Sequence, residues 1–127
     1  MTSPQRTILL VEDNEVNRDM LVRRLQRAGH EVTTAGDGEA ALAAMRELKP
    51  AVVLMDMNLP IMDGWTACAA AQNDSRLADI PIIALTAHAM EEDKARALAA
   101  GCSDDATKPV DFPDLLSKIS AHLNAGH

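Results

Sequence analysis

The chain has almost no aromatic residues. Trp65 and Phe112 are the only ones among its 127 residues, and it contains no tyrosine. A hydrophobic core must therefore be built from aliphatic side chains and methionine, and apolar residues make up an ordinary 47% of the chain. A chain of this length can bury enough surface to fold alone. We predict a single domain over residues 1–127, with its core at about residues 7–123.

Basic residues are also scarce and form no run. Lys and Arg number 12 against 19 Asp and Glu, which gives a formal net charge of −7. An acidic surface repels the nucleic-acid backbone, so we expect no direct binding to DNA or RNA. The apolar stretch after the polar amino terminus, residues 8–11, is too short for a signal peptide or a membrane span. We therefore expect a cytoplasmic protein that does not contact membranes.

Cysteine is equally sparse. Cys68 and Cys102 are the only two, and they form no spacing motif for a metal site or a redox pair. Two cysteines do not make a disulfide framework in a domain of this size. We interpret them as two small, half-buried thiols in a reducing compartment.

Short apolar runs alternate with helical patterns along the chain. The predicted strands cover residues 8–11, 31–35, 51–55, 80–85 and 103–107. The first, third and fourth are continuously apolar, which is typical of strands covered on both faces. The last is the weakest prediction because Asp104 and Asp105 are poor strand formers, and an edge position would explain their polarity.

Five helices are predicted in the intervening and final segments. The first has Asn14 and Gly29 as caps and an apolar stripe at helical spacing, formed by Val16, Met20, Leu21, Leu25 and Ala28. The second ends before Pro50, and the third covers residues 65–72. The fourth covers residues 90–100 with Gly101 as its cap, and the last begins after the cap Asp111.

This alternation predicts an α/β fold with a parallel five-stranded sheet and helices on both faces. We expect the flavodoxin-like (βα)5 arrangement, a three-layer sandwich with strand order 2-1-3-4-5. In sheets of this order, ligands are already known to bind at the carboxyl ends of the strands, where the order reverses. Here that point lies between the first and third strands.

Polar residues follow four of the strands at this same edge. Glu12 and Asp13 follow the first strand, Asp56 the third, Thr86 the fourth and Lys108 the fifth. Two carboxylates about 4 Å apart repel by roughly 4 kcal/mol at an effective dielectric near 20, so three need a cation or protons. Mg²⁺ suits such a site because it binds few carboxylates, keeps waters and also binds phosphate oxygens.

The same residues suit phosphoryl transfer. A carboxylate at the position of Asp56 can attack phosphorus and form an aspartyl phosphate. The backbone carbonyl of Asn58 can add a metal ligand, while Thr86 and Lys108 can stabilise the phosphoryl oxygens. A cis bond between Lys108 and Pro109 would aim the lysine inward, but only ~5% of such bonds are cis, so the sequence alone does not support one.

Five motifs lie in order along nearly the whole chain: VEDN at 11–14, MDMNLP at 55–60, MDG at 62–64, LTA at 85–87 and TKPV at 107–110. Together they resemble the receiver domain of two-component response regulators. The resemblance implies that Asp56 is the phosphoacceptor and Asp13 a direct Mg²⁺ ligand. It also implies that Glu12 assists and that Asn58 supplies a backbone carbonyl.

The resemblance assigns Thr86 as the switch hydroxyl and Lys108 as a phosphate clamp, which in the family precedes a cis proline, here Pro109. The family usually has an aromatic residue three positions before this lysine. Asp105 stands there, so the usual aromatic swing cannot operate, and a carboxylate could add an electrostatic term instead. His88 matches a position that affects access of water to the phosphoryl group, although an exposed loop histidine is an equal interpretation.

These observations predict a stand-alone receiver, which is a signalling module rather than an enzyme. The family implies a phosphodonor that is a histidine kinase or a phosphotransfer protein, and the output is expected to be a protein contact. Dimerisation through the last two helices stays open. The alternatives are a Mg²⁺-dependent phosphohydrolase with an aspartyl nucleophile, a flavodoxin-like mononucleotide binder and a degenerate receiver that acts as a scaffold.

Overall fold

Strands and helices alternate along the chain. The computed structural model describes residues 7–57, 59–86, 95, 102–107 and 110–125. The strands are β1 (Thr7–Val11), β2 (Glu31–Ala35), β3 (Val52–Asp56), β4 (Ile82–Thr86) and β5 (Asp104–Thr107). The helices in this part are α1 (Glu15–Arg27), α2 (Gly38–Leu48), α3 (Gly64–Gln72) and α4 (Phe112–Ala125). Apart from Ala95, which is helical, the helix predicted at 90–100 lies outside the described residues, as does its cap Gly101.

The five strands form one parallel sheet in the order β2-β1-β3-β4-β5. This confirms the predicted flavodoxin-like topology. It also confirms that the order reverses between β1 and β3. The polar strand β5 lies at one end of this order and pairs with β4, with Asp105 opposite Ala84.

Alternate residues of the sheet enter two separate cores. Leu9 and Val11 of β1 pack in one cluster with residues of α2 and α3. Ile8 and Leu10 pack in the other with residues of α1 and α4. All four side chains are fully buried, and burial of an aliphatic side chain of this kind contributes about 1.5–3 kcal/mol. The result is the predicted three-layer sandwich. The carboxyl ends of its parallel strands form one edge of the sheet, between the two layers of helices.

A polar side chain begins each of these four helices. The capping oxygen accepts the backbone N–H of the third residue after it: Asn14 from Asn17 at 3.0 Å, Asp37 from Ala40 at 2.7 Å, Asp63 from Thr66 at 2.7 Å and Asp111 from Asp114 at 3.2 Å. Each cap contributes about 1 kcal/mol and fixes where the loop after a strand ends. The predicted caps Asn14 and Asp111 are confirmed. Gly29, predicted as a C-cap, lies one residue past the C-cap Ala28 with φ 97°.

Only two of the five residues in the apolar stripe predicted for α1 are buried. Leu21 and Leu25 are buried against the sheet. The other members, Val16, Met20 and Ala28, are exposed, with 77% of Val16 and 47% of Met20 accessible. At 100° per residue, Val16 and Met20 project from the side opposite the buried pair. None of the described helices has the length and apolar character needed to cross a bilayer.

Candidate metal centre

Three carboxylates meet where the strand order reverses. β1 and β3 are neighbours with Val11 opposite Met55, so Glu12 and Asp56, the next residues, lie side by side. Glu12, Asp13 and Asp56 each offer one oxygen, and these oxygens all lie within 4.8 Å of one another. Each ionised pair then repels by roughly 3 kcal/mol at an effective dielectric of about 20. This repulsion favours binding of a cation.

The donor set fits Mg²⁺. Its ligands are hard carboxylate oxygens, and this ion prefers one or two carboxylates together with retained waters. Glu12 and Asp56 are 1% and 3% exposed, whereas Asp13 is an exposed residue. The cluster is therefore enclosed on the sheet side and reaches solvent through Asp13, where waters and a phosphate oxygen can approach.

Backbone and side-chain contacts hold Glu12 in place. Its N–H donates to the Ala35 carbonyl at 3.1 Å, and its Oε1 accepts the Asn14 N–H at 3.3 Å. Its carbonyl accepts a hydrogen bond from Arg18 Nη1 at 3.1 Å. That carbonyl belongs to the peptide joining Glu12 to Asp13, so Arg18 fixes the backbone that presents Asp13. Arg18 was not among the predicted site residues, because its spacing from the acidic pair matches no motif.

Asp56 is the last residue of β3 and lies against the start of α3. A Cβ atom built on Gly64 would be 2.6 Å from the Asp56 carbonyl oxygen and 2.7 Å from the Met57 Cα. Real Cβ atoms do not approach backbone this closely, so the contact requires glycine. The Gly64 N–H also donates to the Met57 carbonyl at 2.9 Å. Helix α3 therefore packs directly on the backbone that carries Asp56.

The loop between β3 and α3 contains a strained turn. The Met62 N–H donates to the Pro60 carbonyl at 2.6 Å, and Ile61 between them has φ 66°. This is the γ-turn with positive φ, which is rare and strained, above all for a β-branched residue. The Met62 carbonyl in turn accepts the Gly38 N–H at 3.0 Å, which ties the loop to the start of α2. Sequence patterns predicted a loop here but carried no signal for the strain.

Thr86 reaches the same edge from the other side of β3. It is the last residue of β4, is buried, and pairs with Thr107 of β5. One position earlier in β4, Leu85 is opposite Asp56. The structure thus brings Thr86 to the edge that holds the three carboxylates.

The remaining predicted site residues divide into two groups. Asp105 is in β5, as the sequence predicts, and is opposite Ala84. Asn58, His88, Lys108 and Pro109 lie outside the described residues.

The two cysteines are neighbours in space, which the sequence did not indicate. Their sulfurs are 2.9 Å apart, although the residues are separated by 34 positions. Both are buried, so the interpretation as half-buried thiols is wrong. No spacing motif joins them, and only the packing of α3 beside the start of β5 brings them together.

Comparison with known proteins identifies the family of this chain. Residues 8–120 match the response regulator receiver domain. The chain belongs to this family. The membership agrees with the strand order, the three-layer architecture and the acidic cluster, and it makes the chain a module of phosphorelay signalling.

The chain spans nearly all of one curated relative and about half of another. It is 33% identical over 118 residues to the polar-differentiation response regulator DivK of Brucella anthropi, covering 93% of this chain and 96% of DivK. It is 35% identical over 116 residues to the DNA-binding dual master transcriptional regulator RpaA of Synechocystis, covering 91% of this chain. Here it spans about half of the relative, 48% of RpaA.

Two solved structures share the fold. The receiver domain of the sensor histidine kinase PA1611 from Pseudomonas aeruginosa has a magnesium ion coordinated in its active-site cleft. It superposes with a TM-score of 0.87 at 34% identity, covering 94% of this chain and 98% of that one. The receiver domain of Ssk1 from Saccharomyces cerevisiae, solved with the histidine phosphotransfer protein Ypd1, gives a TM-score of 0.84 at 30% identity. It covers 94% of this chain and 90% of that chain.

Proposed function

We propose that this receiver domain accepts a phosphoryl group on the side chain of Asp56 and signals through a protein contact. The observation that supports this most is the position of Asp56. Its carboxylate is buried at the end of β3, within 4.8 Å of oxygens from Glu12 and Asp13, where the strand order reverses. A carboxylate nucleophile beside two other carboxylates suits phosphoryl transfer, because a cation bound by this cluster neutralises charge during the reaction.

The transfer is a displacement at phosphorus. A carboxylate oxygen of Asp56 attacks the phosphorus of a phosphohistidine, forming a P–O bond as the P–N bond breaks. The electron pair of the broken bond stays on the imidazole nitrogen, which takes up a proton. The packing of Gly64 against the Asp56 backbone restrains the nucleophile, and such positioning lowers the barrier.

We assign Glu12, Asp13 and Asp56 as the Mg²⁺ site, with the backbone carbonyl of Asn58 as a further ligand. When bound, Mg²⁺ neutralises charge on the carboxylates and the phosphoryl oxygens. The magnesium ion in the PA1611 receiver structure supports this assignment. Arg18 holds the peptide between Glu12 and Asp13, so its contribution is to keep two of the three carboxylates in place.

We assign the rest of the phosphate site by family resemblance. Thr86 donates its hydroxyl to a phosphoryl oxygen, and Lys108 provides a positive charge; in the family this lysine precedes a cis proline, here Pro109. The position of Thr86 at the carboxyl end of β4 supports its part. His88 then affects how readily water reaches the phosphoryl group.

Asp105 replaces the aromatic residue through which receivers usually couple phosphorylation to their outer surface. We propose that its carboxylate provides an electrostatic term instead, because a phosphate at Asp56 repels it. An Asp105→Tyr variant should then bind a downstream partner with altered affinity in the phosphorylated state. Equal partner affinities of the two proteins, with and without phosphate, would remove this idea.

We propose that the phosphodonor is a histidine kinase or a histidine phosphotransfer protein and that the reaction takes place in the cytoplasm. The complex of the Ssk1 receiver with Ypd1 supports a protein donor of this class. A downstream protein completes the pathway. The chain then acts as a signalling module and not as an enzyme with small-molecule turnover.

The test is phosphorylation by acetyl phosphate with Mg²⁺, followed by intact-protein mass spectrometry. The wild type should gain one phosphoryl group, and Asp56→Asn none. Asp114→Asn, which removes an exposed acid of α4, is the matched control and should gain the label like the wild type. Labelling of Asp56→Asn, or hydrolysis of small phosphomonoesters by the wild type over many turnovers, would contradict the proposal.

A further inference from the structure

The thiols of Cys68 and Cys102 lie in contact inside the core, away from the acidic cluster. Cys68 lies in the middle of α3, and Cys102 lies two residues before β5. Cys68 has no accessible surface and Cys102 is 5% exposed. Both belong to the core on the side of the sheet that carries α2 and α3, and their sulfurs are 2.9 Å apart.

We propose that Cys68 and Cys102 form a reversible disulfide, a modification site that links α3 to the start of β5. A disulfide bond holds its sulfurs at about 2.05 Å. From 2.9 Å the two sulfurs need to approach by roughly 0.9 Å to reach bonding distance. This inference depends on the contact of the two side chains and not on the phosphorylation of Asp56.

A peroxide can supply the oxidising equivalents. The sulfur of Cys102, the more accessible of the two, attacks one oxygen of hydrogen peroxide and becomes a sulfenic acid as the O–O bond breaks and water leaves. The sulfur of Cys68 then attacks the sulfenic sulfur, forming the S–S bond and releasing a second water. In sum, two thiols and one peroxide give one disulfide and two waters, and two electrons pass to the peroxide.

The surroundings of the two thiols slow their oxidation by peroxide and favour the disulfide over other oxidation products. The hydrogen bond with Cys102, and next burial, raise the pKa of the Cys68 thiol above its usual range, so little reactive thiolate forms. Once Cys102 is oxidised, the partner sulfur is already in contact with it. Closure of the disulfide is therefore favoured over further oxidation to a sulfinic acid, and bulky thiol reagents are excluded by burial.

The crosslink would restrain a large part of the chain. The residues are 34 positions apart, and the loop that the disulfide closes contains β4 with Thr86. Closing a loop of this length reduces the entropy of the unfolded chain. The oxidised protein should therefore melt on the order of 10 °C higher than the reduced protein.

The experiment treats the full, folded chain with graded hydrogen peroxide, alkylates it after denaturation and measures the intact mass. The proposal predicts that both thiols are lost together, that the monomer loses two hydrogens and takes up no alkylating reagent, and that dithiothreitol restores both thiols. Peptide mapping should join the peptides of Cys68 and Cys102. The melting temperature should rise with the crosslinked fraction and return on reduction.

The variants Cys68→Ala and Cys102→Ala serve as matched controls. Each should keep one thiol that is alkylated after denaturation, and neither should form the internal crosslink or gain thermal stability. If an alanine variant does not fold, the peptide map and the reversibility in the wild type still decide the question. Independent loss of the two thiols, oxidation to sulfinic acids without a crosslink, or a lower melting temperature after oxidation would overturn the proposal.

Discussion

At the scale of single residues, the backbone that carries the acidic cluster is held by a side chain from outside the cluster. Arg18 donates from Nη1 to the Glu12 carbonyl at 3.1 Å, while its Nη2 is 3.8 Å from the carboxylate of Glu15. The first contact is to the backbone carbonyl of Glu12, a residue that is buried. The second involves a carboxylate that is 86% exposed, and such surface pairs contribute little.

We predict that Arg18→Met, which keeps an apolar stem but removes the donor, lowers the free energy of unfolding by about 1–2 kcal/mol. Glu15→Gln removes only the exposed ion pair and should change it by less than about 0.5 kcal/mol. Urea denaturation of the three proteins checks this. Equal destabilisation by the two substitutions would show that the carbonyl contact contributes nothing beyond the ion pair.

Ile61 is the second residue whose conformation has a measurable cost. Its φ of 66° is unfavourable for a β-branched side chain, and the side chain itself is exposed. Ile61→Gly removes the strain, with part of the gain offset by the flexibility of glycine in the unfolded chain, so we predict a net stabilisation of about 1 kcal/mol.

Ile61→Ala is the control because it shortens the side chain and keeps a Cβ atom at positive φ. Alanine relieves only the part of the strain that comes from β-branching, so its free energy of unfolding should rise by less than that of the glycine variant in urea denaturation. If alanine stabilises the protein as much as glycine does, the gain comes from loss of the branched side chain and not from the freedom of glycine at positive φ.

At the scale of secondary structure elements, the site depends on how closely α3 approaches β3. Gly64 permits this approach, since a Cβ atom there would lie 2.6 Å from the Asp56 carbonyl oxygen. We predict that Gly64→Ala pushes α3 away from the strand, lowers the free energy of unfolding by about 1–3 kcal/mol and slows phosphorylation of Asp56 by acetyl phosphate.

Gly36→Ala provides the comparison for this prediction. A Cβ atom at Gly36 would lie 3.9 Å from Arg18 Nη1, an ordinary contact. This variant should unfold and accept phosphate much like the wild type, as judged by urea denaturation and intact mass. Equal behaviour of the two alanine variants would mean that the approach of α3 does not matter for Asp56.

The elements themselves follow closely from sequence periodicity. β1, β3 and β4 are apolar except for one terminal residue each, because both of their faces are covered, and this feature also predicts the parallel sheet. The face of α1 was harder to predict because apolar residues occur on both of its sides. Val16 and Met20 satisfy the helical spacing and are nevertheless exposed, since only packing against the sheet decides which side is buried.

The acidic cluster could be predicted from the sequence, whereas the contacts around it could not. Glu12, Asp13 and Asp56 follow strands whose parallel register alone brings them together. The Arg18 contact and the pair of Cys68 and Cys102 depend on side-chain directions and helix packing. Neither leaves a spacing pattern in the sequence, so the three carboxylates could be predicted from the sequence and the groups around them could not.

At the scale of the whole molecule, the acidic cluster opposes folding in the absence of a cation. The chain carries a net charge of −7, and folding brings three carboxylate oxygens to within 4.8 Å of one another. Chain unfolding separates them and relieves the repulsion. Mg²⁺ that binds only the folded state reverses the balance, because it stabilises that state by mass action.

We therefore predict that Asp56→Asn raises the free energy of unfolding in the presence of a chelator and reduces the stabilisation that Mg²⁺ provides. Removing one charge from the cluster should raise the free energy of unfolding by about 1–3 kcal/mol without Mg²⁺. Saturating Mg²⁺, near 100 times its dissociation constant, should add about 2.7 kcal/mol to the wild type and much less to the variant. The measurement is urea denaturation with a chelator and at millimolar Mg²⁺.

Asp114→Asn controls for the change in net charge, because it removes an exposed carboxylate of α4 and leaves the cluster intact. This variant should respond to Mg²⁺ like the wild type, and KCl at matched ionic strength should not replace Mg²⁺, since screening acts weakly on buried charges. An Asp56→Asn protein that is destabilised in the chelator would show that contacts of this carboxylate outweigh its repulsion. If the free energy of unfolding of the wild type does not change with Mg²⁺, the three carboxylates do not act as a metal site.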